Sequence, residues 1–267
     1  MRYGVNVNWA DLASLAPRAR DIGLDYVELR VGEALSPLTV DAGTFRARLA
    51  EVERLGLPVE AANVFITPPV MVVGPDADLE RFRGYATTAV ERLRAIGASI
   101  VVWGSGPTRM IPEGFPRERA WEQLRERVAL AAELCEPAGM RIALEALPRT
   151  AVNFIHRIGE CWQIAEEIAA SGRPGGAAVG IVADNLHMMK EEEDYLVALR
   201  RCRERIFHVH VADSNGRAPS FGGGYDLGPF AATLRALGYD GRVTIEARVD
   251  LERELADALA FLRRVFR

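Results

Sequence analysis

Four strand-like runs in the second half of the chain each end on a residue able to bind a metal ion. They are RIALE ending at Glu145, VGIVAD ending at Asp184, IFHVH ending at His210 and VTIE ending at Glu246. Each is short, apolar and rich in Val and Ile, as expected of a parallel strand buried on both faces. A carboxylate is costly inside such a strand, and at home where the strand opens onto a functional face. Three ionised carboxylates drawn to one point repel by up to roughly 4 kcal/mol per pair at ~4 Å and an effective dielectric near 20. A divalent cation turns that repulsion into binding energy. Mostly oxygen ligands with one imidazole suit Mn2+, Mg2+, Co2+ or Zn2+. Any one of these residues alone reads as half of a structural ion pair with an arginine. Four successive strand endings read as a site for one divalent metal ion.

Residues in such positions need a scaffold that brings strand ends together. Strand and helix patterns alternate along the whole chain. Strands are expected at Tyr3–Val7, Tyr26–Leu29, Val59–Ala62, Ser99–Trp103, Arg141–Glu145, Ala178–Ala183, Ile206–Val211 and Val243–Glu246. Helices are expected from Asp11 to Ile22 and near Thr44–Leu55, Leu79–Ile96, Glu118–Glu136, Ile158–Ala170, Glu193–Cys202, Pro229–Leu237 and Leu251–Phe266. Gly23, Gly56, Gly97, Gly139 and Gly238 stand where several helices end, as a left-handed cap requires. Eight βα units with short αβ turns predict a single-domain (β/α)8 TIM barrel over residues 1–267. The length, 267 residues, suits that fold. A doubly wound open sheet would place a Gly-rich phosphate turn after the first strand. That place holds Asn6-Val7-Asn8-Trp9.

Composition narrows the chemistry. The net charge is −4, so the chain has no general attraction for nucleic acid or an anionic membrane. No apolar run reaches the roughly 20 residues that span a bilayer. The opening MRYGVNVNWADL reads as strand and turn, without a secretory pattern. Cys135, Cys161 and Cys202 are far apart, form no CxxC pair and are expected to be reduced, buried thiols in a cytoplasmic protein. Lys190 is the only lysine and opens the charged run KEEED, which argues against Schiff-base chemistry.

The longest loops follow strands three, four, five and seven, on the face where barrel active sites lie. Several residues there are candidate substrate contacts. Glu28 ends strand two, Asn63 follows strand three and Arg109 lies in GSGPTRMIPEG after strand four. Trp9, Phe65 and Trp103 are able to wall a ligand, since aromatic rings stack on C–H faces, or to serve as ordinary core. Asp213 and Arg217 follow strand seven, where an Arg clamps a hydroxyl pair or a phosphate, or pairs with the Asp. The glycines of FGGGYD suit a phosphate cradle or a lid. His208 lies two residues before His210, on the same side of its strand, as a supporting donor below the site or as barrel packing. His156 has no motif around it and reads as structural.

The motifs ALEALPR, ADNLHM, HVHVADSNGR followed by GGGYD, and TIEAR resemble those of the xylose-isomerase-like superfamily, also described as sugar phosphate isomerases/epimerases. The resemblance covers the whole chain and is strongest from Arg141 to Glu246. It implies a TIM barrel with Glu145, Asp184, His210 and Glu246 as metal ligands. Similarity to the ketose 3-epimerases and to hydroxypyruvate isomerase within that group implies an isomerase or epimerase of a small ketose or keto-sugar. Glu145 and Glu246 then double as acid and base around a metal-bound enediolate. His187, three residues past Asp184, matches the family histidine that touches substrate oxygens. Relatives are often homodimers or homotetramers.

The pattern breaks in two places. Ketose 3-epimerases usually carry a second Glu six residues after the strand-five Glu, and here that position is Ala151, with Arg149 and Asn153 nearby. The Arg after HxH also comes one residue late, with Gly216 inserted. Both departures bear on the substrate and leave the metal chemistry intact. A lyase is the nearest alternative, because the same groups can abstract an α-proton and expel a β-hydroxyl from a keto-cyclitol or dehydroshikimate-like substrate. Apurinic endonucleases on this barrel use three zinc ions and many histidines. This chain has four histidines, none near strands three or four. A non-catalytic sugar-binding protein has little reason to hold three carboxylates together.

Overall fold

The computed structural model describes every residue from Met1 to Arg267. Eight strands run β1 Arg2–Val7, β2 Tyr26–Arg30, β3 Val59–Asn63, β4 Ile100–Trp103, β5 Arg141–Leu144, β6 Val179–Asp184, β7 Ile206–Val211 and β8 Arg242–Ile245. Each pairs in parallel with its neighbours in chain order, and β8 closes onto β1. The chain is a (β/α)8 barrel, as the alternation of patterns predicts.

Alternation along each strand sorts residues into two sets. One set faces the barrel axis, where Tyr26, Ala61, Ile100, Val102, Ala143 and Val182 form a small cluster. The other faces the helices, and Val27, Leu29, Val101, Trp103, Ile142, Leu144, Ile181, Val209, Val243 and Ile245 join the main core there. The inward set continues two residues further to the rim. Tyr26 leads to Glu28, Ala61 to Asn63, Val102 to Gly104, Ala143 to Glu145, Val182 to Asp184, His208 to His210 and Thr244 to Glu246. Glu145 and Glu246 stand one residue past β5 and β8, yet their amides still donate to Trp103 O and Val211 O, both at 3.2 Å. The strand ladder therefore fixes the backbone of both glutamates.

The helices follow local signals. In Leu79–Ile96, buried residues Phe82, Tyr85, Ala86, Ala89, Leu93 and Ile96 recur every three or four positions, the spacing of one helical face. Asp78 caps it by accepting from Glu80 N and Arg81 N at 2.9 and 3.0 Å. Gly23, Gly56, Gly97, Gly139 and Gly238 all adopt positive φ at turns into the next strand.

The α-helices differ from the sequence expectation in three places. The first is not continuous from Asp11 to Ile22 but breaks into Trp9–Asp11, Leu12–Leu15 and Ala16–Arg18, the outer two of 3-10 type. Pro17 lacks an N–H and crowds the carbonyl four residues back, so an unbroken α-helix cannot pass through it. Two extra helices appear, Val31–Ala34 directly after β2 and Asn185–Lys190 directly after β6, the latter with Asp184 as its cap. The other expected helices are found within a few residues of their predicted ends. No helix is long and apolar enough to cross a membrane. All three cysteines are buried and unpaired, and burial pushes the Cys135 thiol up to about 12.

Candidate metal centre and active site

The four strand endings converge. One ligand atom from each of Glu145, Asp184, His210 and Glu246 lies within 4.8 Å of all the others. His210 is at the middle. Its Nδ1 lies 2.8 Å from Glu246 Oε2, 3.0 Å from Glu145 Oε1 and 3.8 Å from Asp184 Oδ2. Asp184 splits its work between two oxygens. Oδ1 accepts from His187 N at 2.8 Å, which starts the short helix, while Oδ2 turns to His210. The DNLH spacing is thus a capping geometry as well as a route for His187 to the site. His187 donates from Nδ1 to Ala146 O at 3.1 Å, which leaves Nε2 for another partner.

The two glutamates are displaced in opposite directions from the ordinary carboxyl range. Burial, with Glu246 beside it, pushes Glu145 above the ordinary carboxyl range. Burial would raise Glu246 too, but the His210 ring outweighs it and holds Glu246 below that range. For His210 burial disfavours charge, yet Glu246, Glu28 and Glu145 together lift it well above the usual imidazole value. His187 is raised in the same way, burial being outweighed by Asp184, Glu145 and Glu246.

The other predicted residues fall into two groups. Asn63 reaches the centre, donating from Nδ2 to Glu246 Oε1 at 2.6 Å. Trp103 and Arg109 lie behind the rim, and Arg217 turns aside in the strand-seven loop. Trp103 is fully buried, stacked on Phe82 with ring centroids 5.7 Å apart and set edge-on to Phe65 at 5.3 Å. It occupies the helix-facing phase of β4, so it has no surface to offer a ligand. Arg109 is also buried, donating to Glu145 O at 2.9 Å and Ile155 O at 3.4 Å. Arg217 directs its guanidinium at Glu254 rather than at Asp213 or the centre. Phe65 is core, and of the three candidate aromatics Trp9 alone keeps exposed surface, with Arg48 over its ring at 5.0 Å. His156 holds the loop carbonyl of Leu147 at 3.1 Å, a structural task.

Asp213 organises the Gly-rich loop. Its Oδ1 accepts from Ser214 N at 2.7 Å and Tyr225 N at 3.0 Å. These amides are therefore taken by the protein's own carboxylate and do not face a phosphate.

Further residues, outside the expected site set, also position the site. At Gly104, on the rim beside Glu145, an added methyl would overlap Glu145 Oε2. Asn185 clamps the end of β7, exchanging bonds with Ala212 O and N at 2.8 and 2.9 Å. Thr244 and Tyr26 extend the polar set below the rim, Tyr26 Oη lying 2.7 Å from Thr244 Oγ1. The signal that finds them is the strand period itself: a polar residue or glycine two positions before or beside a rim ligand.

Known proteins agree with this architecture. A ketose 3-epimerase from Arthrobacter globiformis is 27% identical over 241 residues, covering 86% of this chain and 75% of its own. A 3-dehydro-D-guloside 4-epimerase from Escherichia coli K12 is 27% identical over 183 residues, 65% of this chain and 67% of its own. A crystal structure of a D-psicose 3-epimerase in the presence of D-fructose superposes with a TM-score of 0.82 at 16% identity, covering 100% of this chain and 99% of the other. The sequence profile of the xylose isomerase-like TIM barrels matches residues 16–265. With a profile match over nearly its whole length and the closed eight-stranded barrel, the chain belongs to the xylose isomerase-like TIM barrel family.

Proposed function

We propose that this chain is a divalent-metal-dependent epimerase or isomerase of a small ketose or keto-sugar derivative. The observation that carries the reading is the convergence of Glu145, Asp184, His210 and Glu246 within 4.8 Å, in a chain whose relatives include ketose 3-epimerases. The donor set fits one ion: three carboxylates and an imidazole nitrogen, with the carboxylates close enough for Glu246 to disturb Glu145. These four side chains would hold Mn2+, Mg2+, Co2+ or Zn2+. When bound, such an ion supplies Lewis acidity to a substrate carbonyl and its neighbouring hydroxyl, which acidifies the C–H between them.

The chain's own residues then move the proton. Glu246, held ionised beside His210 and steered by Asn63, takes it from one face of the sugar. Glu145, raised above the ordinary carboxyl range by burial and by Glu246, returns a proton from the other face of the enediolate. Return to the same carbon inverts it, and return to the neighbouring carbon isomerises the sugar. His187 Nε2 meets a substrate hydroxyl, since Nδ1 is engaged by Ala146 O. Arg109, Trp103 and Arg217 act from behind, holding the strand-five backbone, the β4 wall and the strand-seven loop.

The test is a panel of keto-sugars and keto-acids in D2O with Mn2+, read by NMR. Deuterium should enter at a carbon beside the carbonyl, and Glu145→Gln and Glu246→Gln should each reduce exchange by about 10²–10⁴-fold. Full exchange in either variant removes that residue from proton transfer. Failure of the refilled protein to bind any divalent metal sinks the proposal, and an enone absorbance with a keto-cyclitol marks a dehydratase instead.

A further inference from the structure

Below the converging strand ends lies a second polar cluster inside the barrel. Glu28 on β2 is fully buried. Its Oε2 lies 2.8 Å from His208 Nε2 and 3.0 Å from Thr244 Oγ1, and its two oxygens lie 3.1 and 3.2 Å from His210 Nε2. Tyr26 Oη completes the set through Thr244. Barrel interiors are ordinarily filled by Val, Ile and Leu. Here five polar side chains from β2, β7 and β8 replace them.

The protons in this cluster can be counted. His208 Nδ1 is buried with no partner, so the His208 proton sits on Nε2 and points at Glu28. The Tyr26 hydroxyl has Thr244 as its hydrogen-bond partner and donates to it, which directs the Thr244 hydroxyl hydrogen to Glu28. Glu28 therefore accepts throughout, and His210 must offer it Nε2–H. With Nε2 turned to Glu28, Nδ1 of the same ring faces Glu246 Oε2 and Glu145 Oε1, at 2.8 and 3.0 Å. Two carboxylate oxygens approach that nitrogen so closely only with positive charge between them, a proton on Nδ1 or, in its place, a metal ion.

We infer that Glu28 is a positioning residue: it fixes the His210 ring and tautomer through Nε2–H, so that Nδ1 is presented to the ion held with Glu145, Asp184 and Glu246. His208 and Thr244 hold Glu28 in turn. This rests on the metal-binding reading above. A carboxylate on the far nitrogen of a ligating histidine orients the ring and strengthens it as a donor, and removing it typically weakens binding 10–100-fold.

The experiment is calorimetric titration of Mn2+ into the wild type and into Glu28→Gln, alongside long-range 1H–15N NMR of the histidines in Zn2+-loaded wild type. The amide keeps the shape of Glu28 but must turn one N–H toward a histidine nitrogen. The expected result is one Mn2+ per wild-type chain, affinity weaker by 10–100-fold in Glu28→Gln, and His210 carrying its proton on Nε2. A wild type that binds no Mn2+ defeats the metal reading itself. A wild type that binds while Glu28→Gln binds equally well overturns the role of Glu28 alone. A proton on Nδ1 of His210 in the loaded wild type does the same without needing a folded variant. Two Mn2+ per wild-type chain, one of them lost in Glu28→Gln, would make Glu28 a ligand and also overturn the inference.

Discussion

Asn63 at the end of β3 donates to Glu246 past the end of β8, 2.6 Å away across the barrel mouth. The bond fixes Oε1 and leaves Oε2 on His210. Truncation to Ala frees the carboxylate to rotate without touching the barrel core. Asn63→Ala should lower the rate of substrate proton exchange by about 10-fold or more, a loss of roughly 1.4 kcal/mol in the barrier. Asn63→Asp should be worse, because it sets a like charge against Glu246. Exchange rates in D2O for the two variants give the order directly; an Asp variant as active as wild type contradicts it.

Gly104 owes its identity to Glu145. A methyl group there would overlap Glu145 Oε2, and the carboxylate would have to swing away from His210. Gly104→Ala should weaken Mn2+ binding at least tenfold and destabilise the fold by about 1–3 kcal/mol. Gly84 supplies the contrast. It lies exposed inside the helix Leu79–Ile96, with nothing near its missing methyl. Gly84→Ala should stabilise by roughly 0.5–1 kcal/mol through helix propensity and leave metal affinity alone. Urea denaturation and Mn2+ titration of both variants separate the two effects.

Arg109 is a buried cation whose bonds go to carbonyl oxygens, Glu145 O and Ile155 O. Burial holds its guanidinium below the usual arginine value. Arg109→Met fills the volume but takes the donor from Glu145 O, at about 1–3 kcal/mol, while Ile155 O keeps the Leu147 amide at 3.1 Å. Chemical denaturation should show that loss, and exchange activity should fall with it because the Glu145 backbone is released. A Met variant of unchanged stability would mean water or a backbone shift replaces the guanidinium.

Metal should stabilise the fold as well as serve the reaction. Binding to the folded chain alone adds about 2.7 kcal/mol at a free concentration of 100 times Kd. For a chain of this size that is a rise of roughly 5–10 °C in Tm. Thermal melts with Mn2+ and with EDTA measure it. The shift should vanish in Asp184→Asn if Asp184 takes part, since that change removes a charged oxygen donor from the set.

Glu145, Asp184, His210 and Glu246 are legible in the sequence because a polar or charged group ending a buried apolar strand is costly unless something there needs it. Strand order and closure follow from the same alternation. Trp103 reads in the sequence as equally close to the mouth, yet it lies on the helix-facing phase, one residue out of step with Val102 and Gly104. Phase within a four-residue strand needs the register of its neighbours, which a single run does not contain. Arg217 reads as a neighbour of Asp213, but its partner Glu254 lies 37 residues on, in a segment without motif. Gly104 carries no side chain to announce a role. The apolar spacing from Asp11 to Ile22 runs straight through Pro17, and only the missing N–H there breaks the helix that the spacing suggests.

The two halves of the barrel divide the labour. β5 to β8 contribute the groups that would meet substrate or ion, and β1 to β4 contribute several of those that aim them: Glu28 behind His210, Asn63 on Glu246, Gly104 beside Glu145. A half-barrel made from the later strands would own a complete ligand set and still lack its alignment. Substitutions in the first half therefore offer a way to tune affinity and proton transfer without altering a single ligand. Random variation confined to residues 1–110 should reach graded activities that changes at the four converging residues cannot.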